Sequence, residues 1–262
     1  MNDALYIAAT GMQSQQTFVD TVANNLANLN TNGYKAGRVN FEDMVYRMAQ
    51  TSAESGKDGV TSLAGQAHGT GTNISSISNM FTQGSLVQST GPTDMAIQGN
   101  GFLEVTLADG THAYSRGGSL QVTADGFLAT PDGSVLKPAI HVGTGLQTVT
   151  INTDGTVMVQ PNGQGNPTQV GSIEMANFSD TSGLVPLGQN LYQASARSGE
   201  PVYGKPGQNG FGTISQGYLE TSNVNMISEM VNLMTAQRAY EMNVKVIQAA
   251  DEMAGMSNNL RR

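Results

Sequence analysis

The chain has 262 residues, with 12 Lys and Arg against 20 Asp and Glu, a net charge of −8, and only 12% charged residues. That length is enough for one large domain or two to three small ones with a sizeable core, and an acidic balance without any Lys/Arg cluster excludes a nucleic-acid binder. Cysteine is absent, which excludes disulfides, thiolate metal sites and cysteine nucleophiles, and the 32 glycines with abundant Asn, Gln, Ser and Thr imply a neutral polar surface suited to being covered by other chains.

The first residues, MNDALYIAATGM, carry no basic n-region and no long apolar h-region, so no cleavable secretory signal is expected there. No run approaches ~18 apolar residues, so no membrane span is expected. Leu5, Ala8, Met12, Gln15, Val19, Val22, Leu26 and Leu29 step by three and four, a heptad seam rather than a strand pattern. They predict a helix from about Asp3 to Leu29, roughly 40 Å long at about 1.5 Å per residue, with Asn2 or Asp3 as its cap and Asn32-Gly33 as its left-handed stop. Thr17, Thr21, Asn24, Asn28 and Thr31 fall on the face away from the seam, and Asp3 and Asp20 are the only charges before Lys35. Asparagine is a mediocre helix former, yet Asn24, Asn25, Asn28, Asn30 and Asn32 crowd the end of this segment. A side-chain amide donates and accepts at once, so it can serve a neighbouring chain without burying a charge. Asn24, Asn25, Asn28, Asn32 and Gly33 are therefore read as an assembly surface.

Residues 47–79 are polar, small and aperiodic and read as an extended linker or long loop. All eight prolines lie between Pro92 and Pro206, so the middle of the chain is punctuated like a β domain and the ends are free to be helical. Within it FLEVTL (102–107), SLQVT (119–123), TVTIN (148–152), TVMVQ (156–160) and SIEMANF (172–178) read as strands, and Asp109-Gly110, Asp125-Gly126, Asp132-Gly133 and Asp154-Gly155 as tight turns. The last segment returns to heptad steps at Met226, Met230, Leu233, Gln237, Tyr240, Val244 and Ile247, with Thr221, Ser222 and Asn223 as cap candidates. The fold class expected is α+β: N- and C-terminal helices paired as an antiparallel or crossed coiled coil, a β-rich middle and an extended linker region. Gln15 and Gln237 are polar seam positions that would fix its register.

No catalytic constellation is visible. His68, His112 and His141 lie in unrelated contexts without metal-ligand spacing. The G-x-G triplets lack the third glycine of a dinucleotide fingerprint, there is no G-x-S-x-G, and the carboxylates of the β region mostly precede glycine in turns. No enzyme, cofactor or metal is expected.

The stretch ANNLANLNTNGYK (23–35) closely resembles the N-terminal signature of the bacterial flagellar axial proteins, the family of rod, hook and hook–filament junction subunits. LETSNVNMISEMVNLMTAQRAYEMNVKVIQAADEM (219–253) is similar to its C-terminal partner signature. GPTDMAIQGNGFLEV, AYSRGGSLQVTADGFL and GQNLYQASARSGEP resemble the β region that rod and hook proteins share. The likeness spans nearly the whole chain. The length fits the rod branch, and the segment from FEDMVY (41–46) through GTGT (69–72) resembles the long stretch of distal rod subunits, although richer in Gly, Ser and Ala.

That resemblance implies a structural subunit that polymerises helically into the hollow distal rod, transmits torque to the hook and encloses the export channel. A proximal rod or hook-type subunit is the alternative within the family, and a surface adhesive β module lies outside it. The implied domains are a terminal coiled-coil domain (1–34 and 218–262), an extended linker domain (35–90 and 207–217) and a β-rich outer domain (91–206). The implied partners are further copies of the chain, proximal rod and hook subunits, basal-body ring proteins and the flagellar export apparatus. The location would be a rod crossing the periplasm, reached without a cleavable signal. The seam residues expected to carry assembly are Leu5, Met12, Val19, Val22, Leu26, Leu29, Met226, Met230, Leu233, Tyr240, Val244 and Ile247. The end segments are expected to order only on assembly, because isolated long helices are marginal in water.

Overall fold

A computed structural model describes residues 2–44, 47–48, 67–143, 147–161 and 166–259. The SGKD stretch at 55–58 and the terminal Arg261-Arg262 lie outside the described residues, as does most of 47–66. The chain divides into two compact units, Met1–Leu26 with Gly37–Ile77 and Met226–Arg262, and Ala27–Ala36 with Ser78–Asn225. The segments expected to form a separate linker are thus divided between the two.

In the first unit the heptad steps produce helix α1 (Asn2–Ala27) and helix α2 (Met226–Asn259). α1 stops two residues earlier than expected. Gly33, at φ 74°, does not cap it but shapes a following turn in which the Tyr34 amide donates to Thr31 O at 3.3 Å. α2 starts at Met226, beyond the expected caps, because the polar groups of Thr221 and Asn223 are engaged elsewhere. It runs through Gly255, which the helix tolerates at a cost of about 1 kcal/mol relative to Ala. Strand Gly37–Asp43 pairs with strand Thr72–Asn79, and Arg47–Met48 pairs antiparallel with Ala67–His68. Ordered strand at Thr72–Asn79 is more regular than the extended linker or long loop expected there. Ile74 and Ile77 stand three apart, so the strand alternates through Thr, Ser and Asn and offers no apolar period of two. The hairpin rests on α1: Phe41 meets Phe18 edge-on at 5.9 Å. A Cβ at Gly71 would lie 2.3 Å from Thr10 Oγ1.

The second unit is built round a nine-stranded antiparallel sheet. Its central strand, Phe102–Thr106, pairs with Val135–Lys137, His112–Ser115 and Met175–Asn177. Smaller sheets join Gln147–Ile151, Thr156–Pro161 and Thr168–Ser172; Thr213–Gln216, Met95–Gln98 and Gly117–Gly118; and Tyr218–Glu220 with Leu86–Gln88. The period of two in FLEVT divides two packed layers. Leu103 and Val105 enter a core with Met95, Ile97, Leu128, Leu136, Ile173 and Ile214. Phe102 enters an aromatic layer with Tyr114, Phe178 and Tyr192, against which Phe81 packs. Glu104, also buried, is held by Lys137 Nζ at 3.0 Å and His112 Nδ1 at 3.1 Å.

The four Asp-Gly pairs are turns as read, each glycine at φ between 81° and 84°. The strand expected at 119–123 shrinks to Gln121–Val122, and that expected at 172–178 splits into the end of Thr168–Ser172 and Met175–Asn177.

Candidate assembly surface

Two contacts define how the helices meet. Asn25 Nδ2 lies 3.4 Å from Glu229 Oε1, and a Cβ on Gly11 would lie 3.0 Å from Asn243 Nδ2. Number rises along α1 as it falls along α2, so the helices run antiparallel. The residues they bury most fully are small: Ala8, Ser14, Ala236 and Ala250, with Val22 and Asn25. On α2 the inward column is Glu229, Ala236, Asn243 and Ala250, which replaces the expected column of Met230, Gln237 and Val244 beside Leu233 and Ile247. Leu5, Met12, Val19, Leu26, Leu29, Leu233, Val244 and Ile247 are half-buried, whereas Met226, Met230 and Tyr240 are exposed. Gln237 lines a groove of about 400 Å³ with Gln16, Val19, Tyr240 and Glu241. Gln16, the residue after the polar seam position Gln15, lines that groove with it.

α2 leaves a second apolar face uncovered. Ile227 is 73% exposed, Met242 61%, Met230 51% and Met234 50%, and Val231, Val246 and Met253 are exposed along the same helix. Flexible thioethers adapt to differing partners, and the exposed apolar cluster of Ile227, Met230, Val231 and Met234, beyond which Arg238, Glu241 and Lys245 interrupt the face, marks an interaction surface.

The asparagine cluster divides into several tasks. Asn25 is turned inward, 2% exposed. Its Oδ1 accepts from Gly37 N at 2.8 Å and its Nδ2 donates to Gly37 O at 3.0 Å, so the amide pairs with a backbone as a strand would. Asn28 accepts from Thr31 Oγ1 at 3.2 Å. Asn32 O accepts from Asn190 Nδ2 at 2.7 Å, and Gly33 N donates to Glu220 O at 2.7 Å. Asn24 lies on the exposed face. Much of the cluster thus serves the chain's own turn between α1 and the strand at Gly37, and only part of it faces outward.

Sequence reading missed a buried charge cluster in the second unit. Lys35, Arg116 and Glu220 have side chains 0%, 3% and 2% exposed. Lys35 Nζ lies 2.6 Å from Glu220 Oε1 and donates to Thr82 O at 2.8 Å, and Gly84 N donates to the same carboxylate oxygen at 2.8 Å. Arg116 Nε faces Glu220 Oε2 at 3.6 Å, Nη1 and Nη2 donate to Gly101 O and Gly99 O at 3.0 and 2.6 Å, and the guanidinium lies over the Phe102 ring at 5.7 Å. Burial pulls Lys35 and Arg116 below their ordinary pKa values, and Glu220 opposes both shifts. Asn223 closes the same region: Oδ1 accepts from Ala36 N at 2.8 Å while Nδ2 donates to Met80 O and Thr82 Oγ1 at 2.7 and 2.8 Å. The signal was each charge's isolation inside a neutral motif: NGYK, YSRGG and YLET.

Among the described residues no group of three or more His, Cys, Asp or Glu could hold a metal ion, and no helix is long and apolar enough to cross a membrane. His141 packs edge-on against Phe127 at 5.3 Å, a structural setting.

Comparison with known proteins gives one consistent result. Residues 5–35 match the family model "Flagella basal body rod protein", 96–159 the "Flagellar hook protein FlgE/F/G D1 domain", and 215–260 the "Flagellar basal body rod FlgEFG protein C-terminal". The flagellar basal-body rod protein FlgG of Agrobacterium fabrum is 43% identical over 98% of this chain and 99% of its own. The FlgG proteins of Borreliella burgdorferi and Bacillus subtilis are 39% and 35% identical, over 100% and 99% of this chain and the same shares of theirs.

Proposed function

The chain belongs to the flagellar basal-body rod protein family, and from that premise we propose that it is a subunit of the distal rod, which polymerises helically into a hollow drive shaft. The family is structural and not enzymatic. The polymer transmits torque toward the hook and encloses the channel through which later subunits travel. Its partners are further copies of the chain, proximal rod and hook subunits at its ends, ring proteins around it and the export apparatus that delivers it. The rod crosses the periplasm.

The observation that carries this reading is the uncovered apolar stripe of α2. Met226, Met230 and Tyr240, expected in the intrachain seam, are left available for neighbouring copies. Burying one such side chain contributes about 1.5–3 kcal/mol, so a stripe repeated at every subunit contact favours a polymer strongly. The test is a sedimentation and electron-microscopy assay of purified chain carrying Met230→Lys with Met234→Lys. Thermal unfolding of the β-rich unit should match the wild type, while sedimenting polymer falls at least about tenfold. A double variant that polymerises like the wild type would sink the proposal that this stripe drives assembly.

A further inference from the structure

We propose that the Lys35–Glu220–Arg116 cluster is a completeness latch, through which the β-rich unit acquires its stable fold only when the last strand of that unit, Tyr218–Glu220, has docked. The two cations come from segments made before it, and the anion they share, Glu220, lies 185 positions after Lys35. Until Glu220 arrives, closing the unit buries an ammonium and a guanidinium side by side without a counter-charge, which is strongly unfavourable. Burial already weighs against both charged forms, and Glu220 is what opposes it.

The surrounding bonds have the same dependence. Gly33 N and Gly84 N reach Glu220 through its backbone and side chain, and Ala36, Met80 and Thr82 are tied to Asn223. Residues 33–36 and 80–84 are bonded directly through Met80 N to Ala36 O and Lys35 Nζ to Thr82 O, each at 2.8 Å, and both segments are in addition fastened to 220–223. Arg116 extends the dependence into the sheet, because its guanidinium holds the carbonyls of Gly99 and Gly101, immediately before the central strand Phe102–Thr106. A chain threaded through a channel would thus hold its middle in a labile state until almost all of it had emerged. That use rests on the rod-subunit reading, whereas the latch itself is tested on dilute unpolymerised chain.

The experiment is hydrogen exchange with mass spectrometry on the full-length chain and on Glu220→Gln and Lys35→Met. Glu220→Gln keeps the shape and leaves two buried cations without their anion. Lys35→Met leaves Arg116 and Glu220 balanced. Under the latch, exchange in Glu220→Gln accelerates more than tenfold both around 33–36 and 80–84 and across the sheet at 102–106, 112–115 and 175–177. Lys35→Met accelerates the same two sets of peptides together, by a smaller factor. Acceleration confined to 33–36, 80–84 and 218–223, with the sheet unchanged in both variants, would overturn the latch in favour of a local staple. If Glu220→Gln does not fold, Lys35→Met decides between the same two patterns.

Discussion

Replacing Asn25 by aspartate alters one group in a buried bond pattern and tests the role assigned to it. The amide donates to Gly37 O at 3.0 Å and reaches Glu229 Oε1 at 3.4 Å, while its oxygen accepts from Gly37 N at 2.8 Å. An aspartate keeps the acceptor and loses the donor. Losing the buried bond to Gly37 O costs about 1–3 kcal/mol. The new carboxylate also faces Glu229. At that separation and an effective dielectric of about 20, the repulsion is about 5 kcal/mol. Glu229 is half-exposed and can swing away, which reduces this to about 1–2 kcal/mol. The net loss is about 3 kcal/mol near neutral pH, against about 2 kcal/mol for Asn25→Ala, which loses the bonds without adding charge.

Protonation supplies the second half of this prediction. Burial, Gly37 O and Glu229 favour the neutral acid and together outweigh the Gly37 N–H, which favours the anion, so the folded pKa of the introduced carboxyl is raised above its unfolded value. The deficit is then absent below the unfolded pKa of about 3.9 and grows as pH rises through the folded one. Urea denaturation of the full chain, followed by the helix signal in circular dichroism, should show Asn25→Asp weaker than Asn25→Ala at about pH 7 and closer to wild type at about pH 4. An Asn25→Asp variant as stable as Asn25→Ala near neutrality, or with the same deficit at both pH values, would refute the inward, donor-dependent role of Asn25.

Two further outcomes follow from local geometry. A Cβ on Gly84 would lie 2.1 Å from Thr221 O, so Gly84→Ala must part Leu86–Gln88 from Tyr218–Glu220 and pull its amide from Glu220. The expected loss is about 3 kcal/mol by thermal unfolding, against about 1 kcal/mol for Gly110→Ala, which has open space at φ 81°. Asp109 and Asp154 have carboxyls held below the ordinary value of 3.8 by bonds from Thr111 and Thr156. Their contribution is present above that value and is lost as pH falls through the lower folded one. Asp109→Asn and Asp154→Asn should therefore lower the thermal midpoint near neutral pH and have no effect in strong acid.

The parts legible in sequence were those whose physics is local. Asp-Gly pairs demand a turn wherever they fall, and heptad steps announced both helices within a few residues. The phase of α2 was harder, because the helix carries two apolar faces. A heptad template selects the bulkier side chains, Met226, Met230 and Tyr240. Intrachain packing instead selects Glu229, Ala236, Asn243 and Ala250, whose small or hydrogen-bonding side chains allow close approach to Gly11 and Asn25. The strand at Thr72–Asn79 was hidden because neither of its faces is apolar. Lys35, Arg116 and Glu220 were hidden because their meaning lies in a meeting that only the fold arranges. Asn25 was recognised as a polar contact residue, but whether its amide served this chain or another could not be read without the position of Gly37.

The interleaved division of the chain carries a mechanical consequence. The backbone passes from one unit to the other after Leu26, Ala36, Ile77 and Asn225. The two units are thus joined by four covalent tethers, where a simple tandem arrangement would have one. Load passing between them is shared among parallel connections, and a single scission leaves three intact. In a flagellar basal-body rod protein, that redundancy makes several peptide bonds, not one, the last resort against separation.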